Sequence, residues 1–175
     1  MKEKLTLRNL LLCGGALAGL VAFVFTFLAK VTVSFMGSVT QYKNAIWGAK
    51  VQVGSDAWVQ LGPSVVPMIG AILIIVAAIC ACVMLFAGEK LVKEEKIRKI
   101  ILWVAAGLMV VGGVLLFFTL QGFVRAYADK THADYDALLK QIKEMNPKTT
   151  MSVIAGIGAI LGGLCIGVAP VVKGK

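Results

Sequence analysis

Four stretches of this chain, residues 9–29, 64–88, 100–122 and 149–172, contain no Asp, Glu, Lys, Arg or His. Each is long enough to cross a hydrocarbon core of about 30 Å, which takes about 20 helical residues. A segment in lipid must satisfy its backbone N–H and C=O groups internally, so such runs form helices. The chain is 59% hydrophobic and only 15% charged, against about 25% charged for soluble domains. These features predict an all-α integral membrane fold in a single domain covering residues 1–175. Its spans are expected at about 10–29, 64–87, 100–122 and 150–172. Residues 30–63 and 123–149 connect the spans on one side, and residues 88–99 on the other.

The formal charge of +9 is read as topology. Lys and Arg concentrate on the cytoplasmic side of membrane proteins. The two ends and the loop 88–99 share one side and hold ten basic residues, including Lys2, Arg8, Lys90, Arg98 and Lys173. The opposite side holds eight over much more sequence, including Lys30, Lys50 and Lys148. The expected localisation is therefore the cell membrane, multi-pass, with both termini cytoplasmic and the lipid bilayer as the first partner. Nucleic acid is not an expected partner, because no basic stretch is interleaved with aromatics for bases to stack on. The four cysteines, Cys13, Cys80, Cys82 and Cys165, all fall inside apolar runs. No disulfide framework is expected, and the polar connections must hold by pairing and packing.

Residues 30–63 depart from helical logic. Val31, Val33 and Phe35 alternate with polar neighbours, a strand pattern. Residues 37–44 read as a turn or excursion. Residues 46–61 read as a hairpin whose central residues, Gly54-Ser55, suit a type II′ turn. Counting outward pairs Val51 with Trp58 and Ala49 with Gln60. The expectation is three short antiparallel strands forming a small β-stranded extracytoplasmic cap. Trp47 and Trp58 suit the headgroup level, where indole rings prefer to sit, and both are candidates for contacts made by the cap.

The second connection carries an amphipathic helix at 131–146, opened by a capping-box-like Thr131-His-Ala-Asp134. Tyr135, Leu138, Leu139, Ile142 and Met145 share one face. Tyr135 and Leu139 join the tryptophans as candidate interaction residues, and the strands of the first connection are the expected partner of this face. Asn9 is read as the N-cap of the first span and Gly88 as the end of the second. The third span is expected to run on through residue 128. Glu89–Lys93 and Glu95–Lys99 stand at favourable i,i+4 spacing.

Small residues let helix backbones approach closely. Gly15 and Gly19 form one such row. Ala155, Ala159, Gly163 and Gly167 form another, with Gly158 and Gly162 beside it. The last span is expected to pack through its row on Gly15–Gly19, with self-association as the functional alternative.

The plan resembles the claudin-type tetraspan layout: four spans, a strand-rich first outer loop and a shorter second one with a helix. The resemblance is architectural only. That family's first-loop signature, a Trp followed by Gly-Leu-Trp and two cysteines, is absent, so no functional residue carries over.

Motifs for chemistry are missing. No Asp, Glu, His, Lys or Arg lies within the spans, where transporters usually keep them. His132 is the sole histidine, and its neighbours Asp129, Asp134 and Asp136 belong to a helix-capping segment. The chain is expected not to be an enzyme and to use no cofactor or metal. The expected function is structural or adaptor-like, with the cap contacting a protein or the envelope. The alternative is a small transporter or channel component, possibly a subunit of a larger complex.

Overall fold

The computed structural model describes residues 6–35, 38–53 and 57–172. Its elements run α1 (Leu7–Phe27), β1 (Lys30–Phe35), β2 (Ser38–Lys43), β3 (Lys50–Val53), β4 (Ala57–Gln60), α2 (Val65–Leu91), α3 (Glu95–Leu116), α4 (Thr119–Thr131), α5 (Tyr135–Glu144) and α6 (Thr150–Val168). Four of the six helices, α1, α2, α3 and α6, are apolar and long enough to cross a membrane.

These four pack in a ring, α1 against α2, α2 against α3, α3 against α6 and α6 against α1. Their outward faces are apolar as well: Leu10, Leu17 and Val21 on α1, and Ile157, Leu161 and Leu164 on α6, are exposed. The interior is filled by Leu12, Ile74, Leu102, Met109 and Ile166, all fully buried. Between helices the fit is made by glycine. A Cβ on Gly15 would lie 2.7 Å from the Gly162 carbonyl oxygen, one on Gly70 2.7 Å from that of Gly112, and one on Gly113 2.7 Å from that of Gly156. Three of the four helix pairs thus touch backbone to backbone, the approach that small residues permit.

The pairing differs from the sequence expectation. Gly162, from the adjoining row of α6, meets Gly15. Gly19 points instead at Met109 and Ala78, on α3 and α2. Ala159 and Gly163 face α3, against Gly113 and against Val110 and Ala106. The reason is angular. A step of four residues overshoots a 3.6-residue turn, so α6 serves two neighbours with two adjacent rows.

Helix limits also move. The hydroxyl of Thr6, not Asn9, caps α1, accepting from the Asn9 backbone N–H at 3.4 Å. The second long helix continues through Gly88 to a C-cap at Val92. The third does not run unbroken to residue 128. Phe117 and Phe118 donate to Val114 and Leu115, three residues back, and the Thr119 hydroxyl donates to the Leu116 carbonyl at 2.6 Å. This tightened turn, reinforced by a threonine bonding back onto its own helix, separates α3 from α4. The Glu95–Lys99 pair forms at 2.8 Å; the side chain of Glu89 lies outside the described residues.

All strands, α4 and α5 sit at one end of the bundle, where α1 and α3 finish and α2 and α6 begin. Here there are four strands in two antiparallel hairpins, β1–β2 and β3–β4, rather than three strands. Residues 38–43, read from sequence as part of an excursion, form β2, with Val31 opposite Tyr42 and Val33 opposite Thr40. In the second hairpin Val51 pairs with Val59, Gln52 with Trp58, and Lys50 with Gln60. The expected register is off by one. Three residues, not two, separate the paired Val53 and Ala57; the turn itself lies outside the described residues. A one-residue slip exchanges the faces of a strand. It places Val51 against the core and leaves Trp58 pointing away from it.

Candidate interaction site

The layer at this end of the bundle is the most elaborated part of the chain, and it is tied down at three points. The first is Trp47, in a turn between the hairpins. Its indole N–H donates to the Thr26 hydroxyl at 3.1 Å, and that hydroxyl donates to the Phe23 carbonyl at 2.6 Å. The same ring stacks on Phe27 at 5.0 Å and meets Phe23 edge-on at 6.2 Å. Such aromatic geometries add to plain area burial. The second is Ser64, buried at the mouth of α2, whose hydroxyl donates to Ala45 at 2.7 Å and whose N–H donates to Ile46 at 2.9 Å. The third joins the two connections: Thr32 and Lys148 exchange backbone hydrogen bonds at 3.0 and 2.8 Å, and the Ser34 N–H donates to the Met145 carbonyl at 3.1 Å. The free edge of β1 is thereby covered by the segment leading into α6.

The inward faces of both hairpins share one apolar cluster, with Val31, Val33, Val51 and Leu61 buried against Phe123 and Val124 of α4. The helix α5 lies on this cluster through Tyr135, Leu138, Leu139, Ile142 and Met145, all half-buried. Its N-cap is Asp134, whose carboxylate accepts from the Ala137 N–H at 2.9 Å. The expected cap, Thr131, instead closes α4, its hydroxyl donating to Tyr127 at 2.8 Å. The reversal at left-handed His132 separates the two helices. Between α5, α4 and the first hairpin lies an apolar cleft of about 180 Å³ that includes Val33, Tyr42, Tyr127 and Ile142. Tyr42 leans on Phe123 at 5.2 Å. Burial, and secondarily the Tyr127 phenol, push the Tyr42 phenol above its ordinary pKa.

The outward faces have a different chemistry. Trp58 is 68% exposed, although it sits mid-strand. It borders a groove of about 400 Å³ with Gln41, Lys43, Lys50 and Gln60, and a smaller adjoining one that takes in Gln52. Gln41 accepts from the Lys30 ammonium at 3.1 Å, and the Gln60 amide NH₂ donates to the Gly48 carbonyl at 3.3 Å.

Of the residues singled out from sequence, Trp47 is a bolt between layer and bundle, Trp58 is on the open surface, and Tyr135 and Leu139 are in the apolar joint beneath α5. Gly15, Gly19, Ala155, Ala159, Gly163 and Gly167 belong to the helix bundle. The strand β2 has no alternating signature: its apolar Val39 and Tyr42 stand three apart, Val39 exposed and Tyr42 packed on the cluster beneath. Among the described residues no three His, Cys, Asp or Glu side chains are grouped to hold a metal, and His132 is exposed at its helix end. No protein-family model matches the chain, and no curated protein matches it.

Proposed function

We propose that this chain is a multi-pass protein of the cell membrane, of structural or adaptor type, whose two connections form one extracytoplasmic cap that contacts a protein or another envelope component. The four apolar helices support the membrane reading, as do their apolar outward faces. The excess of Lys and Arg in the ends and in the loop between α2 and α3 supports cytoplasmic termini. The single observation that carries the functional reading is the double role of the cap. Its inner face is bonded to the bundle at Trp47 and Ser64 and its two connections to each other at Thr32, while its outer face leaves a mid-strand tryptophan uncovered. An anchoring role explains the inner contacts in physical terms, since two-stranded hairpins are marginal alone. It does not explain a large indole turned outward. Exposed aromatic side chains that become buried dominate many binding interfaces.

Photo-crosslinkers placed at Val39 and Gln60 in intact cells test this. Discrete adducts that survive solubilisation support a contact made by the cap; a protein that stays free of adducts at both positions refutes it. Orientation is checked separately by a Ser55→Cys variant, which membrane-impermeant maleimide should label without permeabilisation.

A further inference from the structure

The outward face of the two hairpins presents the Trp58 ring, amides, ammonium groups and the exposed Val39. Trp58 supplies the ring, Gln41 and Gln60 the amides, and Lys43 and Lys50 the charges. Among the described residues no carboxylate lines either groove. Resting on the reading that the cap contacts an envelope component, we propose that this face binds an anionic polysaccharide, with Trp58 as its stacking platform.

Three features argue for a sugar ring. A pyranose presents C–H groups on its faces and hydroxyls around its rim. The electron-rich face of an indole attracts such polarised C–H groups, as it does the positive edge of another ring. Around Trp58 the neighbours in the grooves are amides, ammonium groups, the Thr40 hydroxyl and the Tyr42 phenol rather than Leu, Ile or Met. The amides are also positioned in advance. Gln41 is held through its oxygen and keeps its NH₂ as donor, whereas Gln60 is held through its NH₂ and keeps its oxygen as acceptor. A ring of hydroxyls, which both donate and accept, matches that pair. The residues stand on three strands, β2, β3 and β4, whose pairing fixes their backbones, so less ordering cost is left for binding.

The charge argues for an anionic sugar. Lys43 and Lys50 border the same groove, and Lys30 lies within reach of Gln41. Carboxylates or sulfates spaced along a polysaccharide would sit against these ammonium groups while the rings stack. Such exposed contacts weaken as salt rises.

The test uses the full chain in nanodiscs of phosphatidylcholine, with a hyaluronan hexasaccharide as probe and tryptophan fluorescence and calorimetry as readouts. Saturable binding is expected. Trp58→Ala should weaken it at least about tenfold, equivalent to about 1.4 kcal/mol. Lys43→Gln combined with Lys50→Gln should weaken it and flatten its dependence on salt. Maltohexaose, neutral and with the same ring size, should bind more weakly. Trp58 is exposed, so its truncation leaves the fold intact, and unchanged melting of the variant verifies this. Three results would overturn the proposal: no binding of the hexasaccharide; equal binding of hexaglutamate with no effect of Trp58→Ala, which marks a surface for acidic protein; or attachment only to vesicles containing phosphatidylglycerol. If these appear while the cellular adducts at Val39 and Gln60 persist, the partner class alone is wrong. If the adducts are lost too, the contact itself is wrong.

Discussion

Gly113→Ala, set against Gly107→Ala on the same helix, isolates the backbone contacts that close the bundle. A Cβ on Gly113 would meet the Gly156 carbonyl oxygen at 2.7 Å, Ile160 at 2.9 Å and Ala159 at 3.2 Å, whereas one on Gly107 would meet nothing within 4 Å. An ordinary contact begins near 3.4 Å, so the closest approach at Gly113 is short by about 0.7 Å. The obstructing atom is backbone, which no rotamer change can move aside. Either α3 and α6 part along their length or the carbonyl tilts. A gap of 0.5–1 Å forfeits a quarter to a half of the dispersion attraction between facing atoms, and overpacking of this kind costs about 1–3 kcal/mol. Replacing Gly by Ala within a helix gains up to about 1 kcal/mol in propensity. That gain is common to both variants and cancels in their difference. Gly107→Ala should therefore be neutral or stabilising by up to about 1 kcal/mol. Gly113→Ala should be less stable than Gly107→Ala by about 2–3 kcal/mol, with the steric cost at the upper part of its range because backbone cannot yield. The assay is reversible unfolding by sodium dodecyl sulfate in mixed micelles. Combining Gly113→Ala with Gly156→Ala should cost less than the sum of the two, because the first already opens the gap that the second needs. If Gly107→Ala and Gly113→Ala shift stability in the same direction and within about 0.5 kcal/mol, the close approach of α3 and α6 is not what holds these helices.

Two further predictions concern the cap. Trp47→Phe keeps most of the ring contacts but removes the N–H that donates to Thr26, and should cost about 1 kcal/mol; a double-mutant cycle with Thr26→Val should show positive coupling, and strict additivity would sever the proposed bolt. Tyr42 ionises above its ordinary value of 10.0 in the folded chain because burial disfavours the phenolate. The neutral form is thus favoured by folding, so its contribution is complete below the unfolded value and is lost as pH rises through the folded value. Stability should decline above pH 10 in the native chain, and Tyr42→Phe should lessen that decline; an unchanged pH profile in the variant would contradict the raised value.

The two polar connections act as one object for reasons that only partly appear in the residues. The alternation of Val31, Val33 and Phe35 announces a strand, and the face formed by Tyr135, Leu139 and Ile142 announces a helix needing a partner. Neither pattern carries the backbone exchange between Thr32 and Lys148, because a main-chain hydrogen bond has no side-chain signature. The interruption at Phe117–Phe118 was equally hidden. No Gly or Pro marks it, and it rests on Thr119 bonding back onto Leu116. By sequence Trp47 is an interfacial tryptophan like any other; its N–H bond to Thr26, 21 residues away, has no local signature.

The sequence by itself determined the four apolar helices, their number and approximate limits, the strand character around Val31 and Val51, and the amphipathic α5. These follow from local rules: the absence of charge over about 20 residues, and periods of two or 3.6 residues along the chain. Tertiary structure alone decided which small-residue row meets which helix. The rows at Gly162 and Gly163 lie one residue apart, and only the placement of α1 and α3 around α6 assigns them. It also decided the fate of Trp58. A one-residue change in hairpin register, invisible to composition and to period, exchanged the two faces of the strand. The valines went into the core, and the indole was left on the surface where a ligand can reach it.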